Sequence, residues 1–121
     1  MKKYRILLVE DNYMSIDLIV QTLSDYYTLM IAKDAESSLA LMNDHLPDLI
    51  LMDIVLPDMD GLALYSKLSK DQLTKGIPVI FLSGMADSQT KAKAFAMGAA
   101  DFIEKPFDLR DLKIRIKRLF E

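Results

Sequence analysis

Residues 6–11 read Ile-Leu-Leu-Val-Glu-Asp, four consecutive apolar residues that stop at two carboxylates. A continuous apolar run is typical of a strand buried on both faces, because a strand with one solvent-facing side alternates apolar and polar residues. Three further runs have the same form and also end at polar residues: residues 49–52 before Asp53, 79–82 before Ser83, and 102–103 before Glu104 and Lys105. These runs predict buried parallel strands with reactive side chains at their ends.

The segments between these runs carry apolar residues at helical spacing, as Ile16, Ile19, Val20 and Leu23 do in the first. A weaker apolar run at residues 28–32 predicts a fifth strand, at an edge of the sheet. The predicted helices lie near residues 16–23, 35–46, 62–68, 88–97 and 109–119, where Pro47 and Gly98 end the second and fourth and Asp108 caps the last. Strands and helices therefore alternate, and we number them β1 to β5 and α1 to α5 in chain order.

This alternation indicates a parallel sheet with helices on both faces. We predict a flavodoxin-like, doubly wound α/β sandwich, (βα)5, whose five-stranded parallel sheet has the order 2-1-3-4-5. In such a sheet, ligands bind outside the carboxyl ends of the strands, where the winding direction reverses between β1 and β3. Glu10, Asp11 and Asp53 fall at that crevice, and Ser83 and Lys105 end the neighbouring strands.

The composition is that of an ordinary globular domain, with 121 residues of which 51% are hydrophobic and 27% charged. We therefore predict one domain over residues 1–121. No apolar stretch approaches the ~20 residues that span a bilayer, and no signal-peptide pattern follows Met1, so we expect no membrane contact. The absence of cysteine fits the cytoplasm, and the net charge of −3 argues against nucleic-acid binding by this domain.

The predicted cluster of three carboxylates needs a counter-charge, because neighbouring carboxylates repel one another. Mg²⁺ suits an all-oxygen site, whereas the lack of cysteine and the single histidine disfavour zinc and copper. Beside Mg²⁺, an aspartate is a candidate nucleophile toward a phosphoryl group, with Lys105 and Ser83 placed to contact the phosphoryl oxygens. Any one of these residues alone is more simply explained as a solvated strand end, but five at matching strand ends favour a site.

Four blocks of this sequence closely resemble the receiver domain of two-component response regulators. They are residues 7–11 (Leu-Leu-Val-Glu-Asp), 53–61 (Asp-Ile-Val-Leu-Pro-Asp-Met-Asp-Gly), 83–84 (Ser-Gly) and 98–107 (Gly-Ala-Ala-Asp-Phe-Ile-Glu-Lys-Pro-Phe). The blocks occur in the family's order and span essentially the whole chain. The acidic pair is Glu-Asp where Asp-Asp is commoner, which we expect to alter the metal geometry slightly.

The resemblance implies a role for each residue of the predicted site. Asp53 is implied as the phosphoacceptor, and the implied Mg²⁺ ligands are Asp11, Asp53, the main-chain carbonyl of Val55 and, through water, Glu10. Ser83 and Lys105 match the switch hydroxyl and the phosphate-binding lysine, and Phe102 matches the switch aromatic. The resemblance also implies a cis peptide bond before Pro106.

By this resemblance the chain is a phosphoacceptor switch rather than a turnover enzyme. A sensor histidine kinase, a histidine phosphotransfer protein or a small phosphodonor supplies the phosphoryl group, and Phe102 then rotates inward and changes the α4-β5-α5 surface. A run of basic residues on one helix is more often a solvated face than a partner site. This run lies on the family's usual output surface, however, so homodimerisation or docking there is an equal alternative. The basic residues of α5 are Arg110, Lys113, Arg115, Lys117 and Arg118. The chain is either a stand-alone receiver or the leading domain of a longer protein with an output domain after residue 121, and we favour the second. Because Val55 and Met85 cannot hydrogen-bond an attacking water, we expect a comparatively long-lived phosphorylated form.

Three other functions stay open at this point. An aspartyl-phosphate phosphatase uses a similar nucleophile but needs a second aspartate two positions on, where Val55 stands. A flavodoxin-like cofactor binder needs a Ser/Thr/Gly-rich loop after β1, where Glu10 and Asp11 would repel a phosphate. The last alternative is a docking module that works independently of phosphorylation, and the presence of all five pocket residues argues against it.

Overall fold

The computed structural model describes residues 3–84 and 87–121, and in these ranges five strands alternate with five helices. The strands are β1 Arg5–Val9, β2 Thr28–Ala32, β3 Leu49–Asp53, β4 Val79–Ser83 and β5 Asp101–Glu104. The helices are α1 Tyr13–Leu23, α2 Ala35–Asp44, α3 Gly61–Lys70, α4 Ser88–Ala96 and α5 Leu109–Leu119. Within the described ranges, no helix has the length and apolar character needed to cross a membrane.

The strands form one sheet of order β2-β1-β3-β4-β5, and all four pairings are parallel. The predicted fold class is confirmed, as is the edge position of β2. The register places Val9 opposite Met52, and Asp53 opposite Leu82. The carboxyl ends of the three central strands therefore lie side by side.

The sheet is buried on both faces, as the continuous apolar runs predict. Alternate residues of β1 point to opposite sides: Leu7 and Val9 pack in the core beneath α2, α3 and α4, whereas Ile6 and Leu8 pack in the core beneath α1 and α5. All four of these side chains are 0% exposed. Full burial of such a side chain contributes about 1.5–3 kcal/mol, so the central strands supply much of the stability that fixes the site above them.

Helix ends follow local chemistry, with an aspartate or asparagine at every N-cap: Asn12, Asp34, Asp60, Asp87 and Asp108. The predicted cap Asp108 is confirmed, since its carboxylate accepts the Arg110 N–H at 2.8 Å. The predicted end of α4 is also close. Met97 is the C-cap and Gly98 follows it with φ +103°, while Ala99 N–H donates to the Ala94 carbonyl and closes a Schellman motif.

Two predicted helix ends are wrong. The helix α2 stops at Asp44, and Leu46 lies beyond it with 39% of its surface exposed. Proline disfavours helical backbone in the residue before it, so the chain leaves the helix ahead of Pro47. The helix α3 runs on to Lys70, because its last two residues face solvent and carry no apolar signal.

Candidate functional site

The carboxyl ends of β1 and β3 bring three carboxylates together. Glu10, Asp11 and Asp53 each contribute one carboxylate oxygen, and these three oxygens lie within 4.8 Å of one another. Glu10 follows the last residue of β1 and Asp53 ends β3, so the parallel pairing of these strands causes the approach. Glu10 is 0% exposed and Asp53 is 8% exposed, whereas Asp11 is open to solvent. Two of the three charges are thus held away from bulk water.

Glu10 is fixed by the start of the loop that follows it. Its main-chain N–H donates to the Ala32 carbonyl at 2.9 Å. Its Oε2 accepts the N–H groups of Asp11 at 3.1 Å and Asn12 at 3.3 Å. Burial raises the pKa of Glu10, Lys105 opposes that rise, and the neighbouring Asp53 charge adds to it. A further cation, in addition to Lys105, would offset the remaining cost of burying the Glu10 charge.

Lys105 joins two of the carboxylates through its ammonium group. Its Nζ donates to Glu10 Oε1 and, at 3.0 Å, to Asp53 Oδ2. Burial lowers the pKa of Lys105, but hydrogen bonds to the two carboxylates outweigh that effect and the pKa is raised. The Lys105–Pro106 peptide bond is cis. One ammonium against three carboxylates leaves a charge of about −2, which is the charge that a divalent cation balances.

Both oxygens of Asp53 have partners in the structure. Oδ2 accepts from Lys105, and Oδ1 accepts the main-chain N–H of Val55 at 3.0 Å. The loop after Asp53 folds back tightly, because Val55 forms an antiparallel bridge with Asp60 and Gly61 N–H donates to the Ile54 carbonyl at 2.7 Å. The Val55 main chain is therefore held beside the Asp53 carboxylate.

The remaining predicted residues lie on the neighbouring strands. Ser83 ends β4, is 1% exposed and pairs with Glu104 of β5. Phe102 is 3% exposed, and its ring centroid lies 6.4 Å from that of Phe81. The Phe102 ring therefore already lies in the core. The inward rotation expected on phosphorylation would end in the position that the ring has in this structure. Val55 is 57% exposed, as expected for a residue at the pocket mouth, and Met85 lies outside the described residues.

The basic face predicted for α5 is partly neutralised. Arg115 Nη1 lies 2.9 Å from Asp101 Oδ1, and Arg115 Nε lies 3.0 Å from Asp111 Oδ2. The Lys113 ammonium lies 4.2 Å from the centre of the Tyr26 ring. The basic charge expected on α5 is therefore reduced by Asp111 of the same helix and by Asp101 and Tyr26 of other segments.

We expect replacement of Lys105 by alanine to lower the free energy of unfolding by about 2 kcal/mol. Removing one partner of a fully buried ion pair costs about 3–5 kcal/mol. The effect is smaller here because the Lys105 side chain is 19% exposed. Urea unfolding in the presence of a chelator measures the loss.

Lys91→Ala is the matched control for this experiment. Its ammonium lies 3.8 Å from Glu104, with both side chains nearly half exposed, so the loss should be below ~1 kcal/mol. Equal losses for the two variants would contradict a special role for the Lys105 pair.

The loop between β3 and α3 and the first residue of α3 make structural contacts whose residues the sequence named only as part of a motif block. Asp60 caps α3 through the Leu62 N–H at 2.8 Å. A Cβ on Gly61 would lie 2.4 Å from the Asp53 carbonyl oxygen. Asp58 accepts two N–H groups from α2. The Asp-Gly pair is a turn signal that sequence reasoning could have used, whereas no local pattern points to the Asp58 contact.

The comparisons with known proteins agree on one family. Residues 6–117 match the response regulator receiver domain. The transcriptional regulatory protein YbdJ of Bacillus subtilis is 38% identical over 122 residues, which cover 100% of this chain and 52% of that protein. In eight of the curated relatives, the chain spans between 9% and 54% of the relative's length.

Solved structures agree with the sequence comparison. The non-phosphorylated HemR receiver domain from Leptospira biflexa is 36% identical with a TM-score of 0.87, covering 96% of this chain and 93% of that one. The Mn²⁺-bound response regulator Rcp1 is 25% identical with a TM-score of 0.82, covering 93% and 88%. The family match, the sheet order and the acidic site agree, and the chain belongs to the receiver domains of two-component response regulators.

Proposed function

We propose that Asp53 is the phosphoacceptor of this receiver domain. The observation that carries the proposal is the buried Asp53 carboxylate, which shares a cluster of oxygens within 4.8 Å with Glu10 and Asp11 and lies 3.0 Å from the Lys105 ammonium. Among the alternatives, the phosphatase requires an acid where exposed Val55 stands. The cofactor binder requires a phosphate loop where Glu10 and Asp11 place negative charge.

The donor atoms of the site fit Mg²⁺, which prefers oxygen ligands and one or two carboxylates. We propose that Asp11, Asp53 and the Val55 main-chain carbonyl bind it directly and that Glu10 acts through water. When bound, Mg²⁺ neutralises charge on the reacting oxygens and orients the phosphoryl group. The similar response regulator Rcp1 has an Mn²⁺-bound form, which supports divalent-cation binding by a protein of this fold.

The residues of the chain then have distinct roles. One oxygen of Asp53 attacks phosphorus in line with the leaving group, which departs with its bonding electron pair, and an acyl phosphate forms. Lys105 moves its hydrogen bonds from the carboxylates to a phosphoryl oxygen, and the Ser83 hydroxyl donates to another. The negative charge of the phosphoryl group is thereby stabilised by hydrogen-bond donors that the folded protein already holds near the site.

We further propose that phosphorylation shifts the α4-β5-α5 surface through Ser83 and Phe102. The Phe102 ring is already buried in this structure, so the proposed shift is one of population. A phosphoryl group that draws Ser83 toward Asp53 raises the share of this arrangement at the expense of arrangements with the ring turned outward. The donor is a sensor histidine kinase, a histidine phosphotransfer protein or a small phosphodonor. Dimerisation through α4-β5-α5 remains part of the proposal.

The domain organisation of the whole protein is also a proposal. Residues 1–121 form one domain, which acts as a phosphoacceptor without turnover of an external substrate. Because the chain spans about half or less of the curated relatives, we propose an output domain after residue 121. The net charge of −3 assigns any nucleic-acid binding to that other domain. A cytoplasmic location stays a prediction from composition.

Incubation of the chain with acetyl phosphate and Mg²⁺ tests the proposed function. We expect a mass gain of one phosphoryl group per chain, because Asp53 is the single acceptor that we propose. Intact-protein mass spectrometry measures the gain. Hydrolysis of many equivalents of acetyl phosphate per chain would instead favour the phosphatase. No mass gain together with no Mg²⁺ affinity would favour the docking module.

A further inference from the structure

The carboxylate of Asp58 bridges two parts of the fold that are distant in sequence. Asp58 Oδ1 accepts the Ala35 N–H at 2.9 Å, and Oδ2 accepts the Glu36 N–H at 3.0 Å. These are the first two N–H groups of α2, which have no acceptor inside the helix. The pKa of Asp58 is lowered by these backbone hydrogen bonds. The loop between β3 and α3 is thus attached to the start of α2.

The helix α2 has a second cap of its own. Asp34 Oδ1 accepts the Ser37 N–H at 2.7 Å, and the Asp34 carbonyl accepts the Ser38 N–H at 3.2 Å. The first three N–H groups of α2 are therefore satisfied by two aspartates. Only one of the two, Asp58, belongs to another segment. Asp34 caps the helix from the adjoining residue, whereas Asp58 caps it and also attaches a distant loop to it. Comparing the two residues therefore separates the effect of the cap from the effect of the attachment.

The same loop carries the main chain that contacts Asp53. At its near end, Val55 N–H donates to Asp53 Oδ1 at 3.0 Å. At its far end, Asp58 is attached to α2, and the intervening Leu56 is 7% exposed. Residues 54–58 are therefore held at both ends, and the Val55 peptide has little freedom to leave the acidic site.

We propose that Asp58 is a positioning residue for the cation site: its attachment to α2 holds the Val55 main chain beside the Asp53 carboxylate. This inference rests on the proposed function, because it assigns the Val55 carbonyl to Mg²⁺. It also makes α2 part of the energetics of the site. Linkage requires that bound Mg²⁺ strengthens the attachment by the same factor as the attachment strengthens Mg²⁺ binding.

Asp58→Ala and Asp34→Ala form a matched pair for testing the inference. Each variant removes a carboxylate acceptor from the start of α2, and we expect a similar fall in Tm for both. Only Asp58→Ala releases the loop. We expect its Mg²⁺ Kd to rise about tenfold, the lower end for residues that orient metal ligands, while Asp34→Ala binds Mg²⁺ like the wild type. Isothermal titration with Mg²⁺ measures both.

A measurement on the unmodified protein avoids dependence on variant folding. Amide hydrogen exchange at Ala35 and Glu36 should slow by about the same tenfold factor when Mg²⁺ saturates the site. Exchange at Ser37, whose acceptor is Asp34, should change much less. Unchanged exchange at Ala35 and Glu36, or equal Mg²⁺ Kd values for Asp58→Ala and wild type, would overturn the inference.

The wild type separates this inference from the proposed function. If wild-type protein binds Mg²⁺ and gains one phosphoryl group while the Asp58 tests fail, only the inference is wrong. If the wild type does neither, the proposed function fails and the inference fails with it.

Discussion

Asp53→Asn is expected to lose the entire mass gain from acetyl phosphate. A carboxamide is not a nucleophile toward phosphorus under these conditions, because its nitrogen lone pair is delocalised and its oxygen carries no full charge. The substitution preserves the shape of the side chain and the Oδ1 that accepts the Val55 N–H. The loss therefore reports on chemistry rather than on folding, and intact-protein mass spectrometry measures it.

Asp48→Asn is the matched control for the phosphoacceptor experiment. Asp48 is exposed, lies just before the amino end of β3, and accepts the Arg5 N–H at 2.7 Å. The Asp48→Asn variant makes the same chemical change at the opposite end of the sheet. We expect it to gain one phosphoryl group per chain, as the wild type does. If Asp53→Asn still gained one phosphoryl group, another residue would have to be the acceptor.

Gly61→Ala is expected to lower the free energy of unfolding by about 3 kcal/mol or more, at the upper end for overpacking. The added Cβ would lie 2.4 Å from the Asp53 carbonyl oxygen and 2.9 Å from the Ile54 Cα. Both are main-chain atoms, so no side-chain rotation can relieve the clash. Such a loss is a large part of the ~5–15 kcal/mol that stabilises a typical domain. Urea unfolding measures it.

Gly76→Ala is the control for the Gly61 experiment. Nothing lies within 4 Å of a Cβ placed on Gly76, so the change should be within about 1 kcal/mol and can be stabilising. A loss below 1 kcal/mol for Gly61→Ala would show that the loop between β3 and α3 moves to make room.

Part of the candidate site could be predicted because it follows from strand ends. Asp53 ends β3 and Ser83 ends β4, and parallel pairing places such ends at one edge of the sheet. The continuous apolar runs reveal the strands, so the approach of Glu10 and Asp53 required no knowledge of loop paths. The capping role of Asp108 was equally local, since it depends on the next three residues.

Other features depend on segments whose paths the sequence pattern does not describe. Asp58 lies 23 residues from the Ala35 N–H that it accepts. Arg115 lies 14 residues from Asp101. Hydrogen bonds of this kind require positions accurate to a few tenths of an ångström, which periodicity and motifs do not supply.

By itself, the sequence determined the alternation of strands and helices, the parallel sheet and the set of polar residues at its carboxyl edge. Hydrophobic burial explains this, because it depends on which residues are apolar and how they are spaced. Only the tertiary structure decided that Lys105 joins Glu10 to Asp53, that Phe102 lies in the core, and that Asp58 attaches its loop to α2. Those contacts are directional and short-ranged, so they exist only once distant segments have been brought together.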